Sequence, residues 1–402
     1  MALINPSTFH HLSMFGGPNN GPSIRYQETP PFLYYHKDFN DENDYYYIEA
    51  KDGEAFGVFM LHTVIDRDVL ASIRDISCNV YLVICNSHEA FHSIVEPIYK
   101  YVVLAHRVPA EKIILMSGSF DIVDEIDRMA QKYQAGQLKA ELVLDFEVSA
   151  QQNIIHHEAV HGRPFAFPKT LQKKKYEKKF INFNRRWRPA RPTFVGLLAA
   201  RGLLEHGHVS LGPADCGNSW PHYWNNIYHM NHAFPRLLDQ LQAAREHIIN
   251  LPPLYLDTRD LVTNRAELLD NAAYLYEDSY LTLVAETNYY VSHSGLESGR
   301  FLSEKAFKPI VFHHPFIFIS TPGILSALRQ IGYQTFDGVI NEDYDQITDD
   351  GDRMIAIADE TQRLCNLDDI ELDRYLNTCK EITEYNYKVF IEKTKFTHRL
   401  NF

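Results

Sequence analysis

The sequence predicts an α/β protein made of two Rossmann-like βα domains facing a cleft. Three observations lead there. The chain has 402 residues, too many for one ordinary core and few enough for two. Short apolar runs alternate with helix-length segments, the pattern of parallel βαβ units. The charge also changes abruptly near the middle. Between Arg163 and Arg201 there are twelve Lys or Arg and one acid, Glu177, whereas the rest of the chain carries 27 basic against 51 acidic residues.

Residues 1–45, rich in Pro, Gly and Asn and then in Tyr, Phe and Asp, predict an irregular arm. Phe56–Val64 is strand-like, and Val80–Cys85 (VYLVIC) more strongly so. A helix through Glu89–Tyr101 follows, then a strand at Lys112–Met116, a helix over Asp121–Ala135 and a strand at Glu141–Phe146. Past the basic segment, Lys179–Phe183 (KFINF) is a strand and Pro192 sits near the start of a helix. A helix over 260–277 (DLVTNRAELLDNAAYLYE) precedes the strand Tyr280–Ala285. A helix from Phe301 runs to Lys308-Pro309, then the strand Pro315–Ser320 leads into a helix opened by Thr321-Pro322-Gly323 and closed by Gly332. The expected divisions are an arm at 1–45, α/β domains at 46–165 and 166–375, and a helical tail at 376–402 with a mixed pattern.

Composition sets limits. Apolar residues make up 45% and charged residues 23%, so the chain is globular rather than disordered. A net charge of −13 disfavours attraction of the whole molecule to nucleic acid or anionic membrane, while leaving room for a local basic site. Five cysteines at irregular spacing, with no CxxC pair, do not form a disulfide framework, and a reducing, cytoplasmic setting is expected. The opening residues have no basic n-region or apolar h-region, and no apolar run is long enough for a membrane span.

His157-Glu158-Ala159-Val160-His161 matches the HExxH zinc pattern. Gly162, Arg163 and Pro164 cut any helix short immediately afterwards, and no third ligand sits on a following element. With 20 histidines in the chain a chance match is the better reading, and no metal is expected. Asp343-Tyr344-Asp345 and Asp349-Asp350-Gly351-Asp352 do not directly follow an apolar strand. They are read as solvated helix-start and loop acids.

Three segments carry more chemistry. The junction Asn182-Phe183-Asn184-Arg185-Arg186-Trp187-Arg188-Pro189-Ala190-Arg191 sets arginines where a strand turns into a helix. There, planar guanidinium forks and outward backbone N–H groups suit a diphosphate, held by Arg191 and one of Arg185 or Arg186. A basic surface turn explains the same residues equally well. Leu283-Val284-Ala285-Glu286-Thr287-Asn288 puts a carboxylate at a strand's carboxyl end, a common ligand position and also a common loop cap. In Phe301-Leu302-Ser303-Glu304-Lys305, Ser303 can cap a helix whose first turn holds Glu304 for a sugar hydroxyl and Lys305 for a phosphate. A solvated charged pair is the plain reading. The ring- and amide-rich stretch Cys216–Asn226 is assigned to interdomain packing ahead of stacking on a base or sugar.

Taken in order, NRR…R, then AETN, then FLSEKAFKPI ahead of PFIF, these segments resemble the donor-binding half of the α-1,3-fucosyltransferase-like glycosyltransferases over roughly residues 178–335. The family has an apolar strand ending in Glu-Asn, and Thr287 stands here in place of that Asn. The resemblance implies a GT-B enzyme with two Rossmann-like domains, the acceptor side in 46–165 and the nucleotide-sugar side in 166–375. Glu304 would hold ribose or sugar hydroxyls. Lys305 and Arg191 would meet the diphosphate, with Asn184, Arg185, Arg186, Glu286 and Ser303 around them.

What the resemblance then implies is transfer of a sugar from a nucleotide donor to an acceptor hydroxyl, inverting and independent of metal, with no cofactor beyond the donor itself. Inversion needs one general base from the first domain. The competing candidates are Glu89, Asp121 and Glu147, with His88 a further one of low weight. A glycan is the default acceptor, and a modified DNA base, as in phage-type enzymes, is the alternative. From another class, a non-catalytic module binding a nucleotide or anion through the basic cluster is also consistent with these residues.

Overall fold

A computed structural model of the chain describes residues 9–11, 44–49, 67–86, 94–144, 146–147, 150–151, 154, 158, 162, 171, 175–184, 188–211, 220–252, 254, 256, 273–291 and 299–398. It forms two compact units. The first comprises Met1–Val148 with Leu296–Phe301 and Thr397–Phe402, and the second Ser149–Gly295 with Leu302–Phe396. Each is Rossmann-like: a wholly parallel sheet accompanied by helices.

The sheet of the first unit runs β1 (Phe9–His11), β2 (Asp44–Glu49), β3 (Val80–Asn86), β4 (Ile113–Ser117) and β5 (Lys139–Leu142), in that order. β1 therefore lies inside the segment expected to be an irregular arm. Its three residues pair in parallel with Tyr45–Tyr47, and a strand this short carries no readable alternation. The strand expected at Phe56–Val64 lies outside the described residues. In β3 and β4 alternate side chains enter opposite cores. Leu82, Ile84, Ile113 and Leu115 meet Ile98, Val102, Ile126 and Met129 on one face. Val83, Cys85, Ile114 and Met116 join Tyr45 on the other. Because both faces are covered, these strands read as continuous apolar runs. Each fully buried aliphatic side chain contributes about 1.5–3 kcal/mol. The helices of this unit are α1 (Arg67–Arg74), a short helical turn Val95–Pro97 continued by the π-helical Ile98–Ala105, and α2 (Ile122–Tyr133).

The second unit has β6 (Phe180–Asn184), β7 (Gly207–Leu211), β8 (Thr282–Ala285) and β9 (Phe316–Ile319), ordered β7-β6-β8-β9. α3 (Ala190–Ala200) joins β6 to β7. Phe180 is level with Gly207, where a Cβ would come within 2.2 Å of the Phe180 ring, so only glycine fits. α4 (Trp220–Asn231), α5 (Pro235–Ala243) and α6 (Arg245–Ile249) follow. Trp220, Tyr223 and Trp224 of α4 are buried. α7 (Glu304–Val311) leads from β8 to β9, and α8 (Ile324–Gln330), α9 (Asp350–Cys365) and α10 (Asp369–His398) complete the unit.

Two boundaries of the compact units and helices differ from the expected divisions. The first unit hands over at 148/149 rather than 165/166, because Ile154 is buried and Gln151 Nε2 donates to the Phe390 carbonyl at 3.4 Å, tying this stretch to α10. The expected tail at 376–402 begins inside α10, which is one helix from Asp369 to His398. α10 is fastened by Asn386, whose side chain accepts from the Gln334 N–H at 2.7 Å and donates to its carbonyl at 2.9 Å.

Some of the acids expected to be solvated are buried. Asp349 does cap α9, accepting from the Asp352 N–H at 2.8 Å. Asp350 and Asp345, however, are 1% and 2% exposed. Asp350 pairs with Arg353, itself 1% exposed, whose guanidinium also donates to the carbonyls of Ser320, Tyr289 and Ile347 at 2.8–3.0 Å. The acid supplies the counter-charge that makes a buried arginine tolerable.

Candidate functional site

In a parallel sheet the carboxyl ends of all strands emerge on one side, where loops are free to hold ligands. In the second unit, three buried polar residues mark those ends.

In the middle of β6, Asn182 Nδ2 donates to the Leu283 carbonyl of β8 at 2.9 Å, and at the strand's end Asn184 Nδ2 donates to Asn182 Oδ1 at 2.5 Å. Asn184 is 1% exposed, and its Oδ1 meets no partner among the described residues. Such an acceptor is costly to bury unmet. Arg185 and Arg186, the alternative diphosphate ligands, lie outside the described residues. Arg191 sits in the first turn of α3, where Pro192 was expected to start the helix. It is 2% exposed, and its Nη2 donates to the carbonyls of Ala285 and Glu286 at 3.1 and 3.5 Å. Its guanidinium therefore fastens the end of β8.

Glu286 follows β8 and is 2% exposed. One carboxylate oxygen accepts from the Ser303 N–H at 3.1 Å and the other from the Thr287 N–H at 3.2 Å. Burial raises its pKa, while Lys305 and the Ser303 bond pull the other way. Ser303 is the N-cap of α7, its Oγ accepting from the Lys305 N–H at 3.3 Å, as the sequence pattern indicates. Lys305 Nζ lies 3.1 Å from Ser303 Oγ and 2.8 Å from Glu304 Oε1. Burial opposes ionisation of Glu304, but Lys305 and Lys308 outweigh it and hold its pKa down to about 2. The Glu304 side chain keeps 45% exposure, so solvent screens the pair, which orients the two groups more than it stabilises the fold.

Arg191, Glu286, Ser303, Glu304 and Lys305 thus form one connected network. Arg191 holds the Glu286 carbonyl, and the Glu286 carboxylate fixes the cap from which Lys305 projects. Sequence reasoning missed Thr321. It follows β9, is 3% exposed, and its Oγ1 meets no partner among the described residues. Its signal was a hydroxyl directly after the apolar run PFIFIS.

The expected general bases fare differently. Asp121 follows β4 in the first unit, where one oxygen accepts from the Arg300 N–H at 2.6 Å and the other from Arg300 Nε at 2.8 Å. Both oxygens are occupied by Arg300. Glu147 is buried and helical, five residues beyond the close of β5 at Leu142 rather than at a strand end. Glu89 and His88 lie outside the described residues, as do His157 and His161 of the HExxH pattern. Among the described residues no group of three or more His, Cys, Asp or Glu is placed to hold a metal ion, and no described helix is long and apolar enough to cross a membrane.

No family model matches the chain, and no curated protein sequence is significantly similar to it. Among solved structures it is similar to the N-terminal domain of a trehalose-6-phosphate phosphatase of Candida albicans, with 12% identity, 88% of this chain and 70% of that one covered, and a TM-score of 0.41. It is also similar to an α,α-trehalose 6-phosphate synthase of Burkholderia multivorans, with 8% identity, coverage of 89% and 71%, and a TM-score of 0.41. A third likeness is to trehalose-6-phosphate from E. coli bound with UDP-2-fluoro glucose, at 9% identity, coverage of 89% and 74%, and a TM-score of 0.40.

Proposed function

We propose that the protein is a nucleotide-sugar-dependent glycosyltransferase whose donor is held at the carboxyl ends of β6, β8 and β9. The observation that carries this reading is the Glu286–Ser303 hydrogen bond, which fixes the start of α7 so that Glu304 and Lys305 stand together beside the strand ends.

The chemistry fits that placement. Glycosyl transfer builds negative charge on the departing diphosphate, and a lysine at a helix start stabilises it. Glu304, ionised across the physiological range, accepts from ribose or sugar hydroxyls. Asn184 Oδ1 and Thr321 Oγ1 supply two further buried polar atoms at strand ends, suited to fixing a nucleoside. Arg191 acts as a positioning residue through the Ala285 and Glu286 carbonyls. One of Arg185 or Arg186 remains a proposed partner of the diphosphate beside Lys305. The acceptor is proposed to be a glycan hydroxyl, deprotonated by one of Glu89, Asp121 or Glu147, with inversion and without a resident metal. The fucosyltransferase-like character of the donor half belongs to this proposal as well.

Titration with UDP, GDP and CMP, followed by assays with sugar nucleotides and a glycan panel, tests the reading. Saturable binding of one nucleotide below millimolar and release of that nucleotide on transfer support it. Binding without turnover of any donor would instead favour a non-catalytic nucleotide-binding module.

A further inference from the structure

The loop that follows β4 and the stretch of chain ahead of α7 are fastened residue by residue. Phe301 forms an antiparallel bridge with Ser119, and the Phe120 N–H donates to the Arg300 carbonyl at 3.0 Å. Arg300 in turn donates to Asp121 from its backbone and its side chain. The backbone N–H meets Oδ2 at 2.6 Å, while Nε and Nη2 share Oδ1 at 2.8 and 2.5 Å. The two side chains are 24% and 23% exposed. Charge-assisted bonds are stronger than neutral ones, and the fixed geometry separates this pair from an ordinary surface ion pair. The loop that presents Asp121 is itself fixed. The Ser119 N–H donates to Ser117 Oγ and the Asp121 N–H to Ser119 Oγ, each at 3.2 Å.

These contacts all belong to the first unit, which the chain leaves after Phe301. Only three residues beyond Arg300, the Ser303 N–H is held by Glu286 in the second unit. The residues between are committed as well. The Phe301 ring meets Phe146 edge-on with centroids 5.8 Å apart, and Phe301 and Leu302 are 4% and 3% exposed. A connection of free residues would absorb a displacement of either anchor in its soft backbone dihedrals. This connection has no such residue to spare.

We propose that Asp121 is a positioning residue: by gripping Arg300 it holds the chain that enters α7, and so keeps the start of that helix in place for the donor. The effect on the donor rests on the site proposed above; the mechanical link does not. A general base must offer a carboxylate oxygen to the acceptor hydroxyl. Both oxygens of Asp121 are taken by Arg300, so the acceptor's proton falls to Glu89 or Glu147. Glu304 and Lys305 act by their placement, and small displacements of such groups weaken both binding and reaction.

The test follows amide hydrogen exchange by mass spectrometry in the full chain, without ligand, for wild type, Asp121→Asn, Arg300→Met and the double variant. Exchange over residues 302–305 is expected to rise about tenfold in each single variant and no further in the double, since both remove one clamp. β3 and β9, which report unfolding of either unit, should exchange as in the wild type. Calorimetry with UDP, GDP and CMP should show the preferred nucleotide bound about tenfold more weakly by each variant. In transfer assays the donor KM should rise while kcat falls by less than about tenfold. Arg300→Lys, which keeps a charged donor, should lie between the wild type and Arg300→Met.

Unchanged exchange over 302–305, or a rise that spreads to β3 and β9, would overturn the link. Wild-type nucleotide affinity in the variants would overturn the positioning role. A loss in kcat of about a hundredfold or more in Asp121→Asn, with donor KM unchanged and Arg300→Met near wild type, would make Asp121 the base instead. If no nucleotide binds even the wild type while exchange rises as expected, the donor site fails and the link stands.

Discussion

The carboxylate of Glu286 accepts the backbone N–H of Ser303 at 3.1 Å, across 17 residues of sequence. A strand end is thereby bonded to a helix start, and the helix carries the two charged groups assigned to the donor. Replacing Ser303 with Ala removes the cap Oγ but leaves this backbone donor in place. We expect it to lose about 1 kcal/mol of stability. Glu286→Ala strands a buried N–H and should lose more, about 1.5–3 kcal/mol. Urea unfolding of both variants reads the difference, and equal losses would contradict the assignment of the Glu286 bond as the stronger tie.

The two carboxylates of the site should titrate in opposite senses. Burial raises the pKa of Glu286, so whatever it contributes is present below the ordinary value of 4.5 and is lost as pH rises through its folded pKa. Glu304 is held at about 2 by Lys305 and Lys308 against the effect of burial, so its contribution is present above 4.5 and lost as pH falls toward 2. Carboxyl carbon NMR of the wild type, assigned with Glu286→Gln and Glu304→Gln, should show Glu304 still ionised at about pH 3.5. Glu286 should titrate above its ordinary range.

His314 sets an acid limit on the second unit. Its ring is fully buried between Thr282 and Ser279, and burial lowers its pKa from 6.5 to about 4. A depressed histidine contributes stability above its unfolded pKa and loses it as pH falls through the folded value. The window here runs from 6.5 down to about 4. The loss is on the order of 3 kcal/mol. His314→Gln should be less stable at pH 7 and should lose less between pH 7 and 4. Denaturant midpoints across that range test it, and parallel pH profiles would refute it.

Arg353 and Asp350 stand as a buried pair at the start of α9. Arg353→Met leaves Asp350 without its counter-charge and three carbonyls without a donor, which should cost about 3–5 kcal/mol. Arg353→Met combined with Asp350→Asn should recover part of that loss. Calorimetric melting of the single and double variants measures the recovery.

The expected strands of the second unit lie close to the observed ones because β6, β8 and β9 are buried apolar runs with clear ends. β7 was not legible. Its sequence, GHVSL, alternates buried and half-exposed residues over five positions at the sheet edge, and it opens with the glycine demanded by Phe180. The same length problem hid β1. The start of α7, with Ser303 as its cap and Glu304 and Lys305 in its first turn, could be read because helix capping has a local signature. The role of Arg191 could not, because its guanidinium is directed by carbonyls 94 and 95 residues away. The burial of Asp350 was hidden for a related reason. Its partner Arg353 lies only three residues on, but the carbonyls that draw that arginine inward come from Tyr289 and Ser320.

Calorimetric titration of wild type, Lys305→Ala and Glu304→Gln with UDP, GDP and CMP bears most directly on the donor site. One nucleotide should bind the wild type below millimolar, and each variant should lose about tenfold or more, as expected for a missing charged contact. If no nucleotide binds better than millimolar, or if the variants bind as tightly as the wild type, the start of α7 is not a donor site and the glycosyltransferase reading fails.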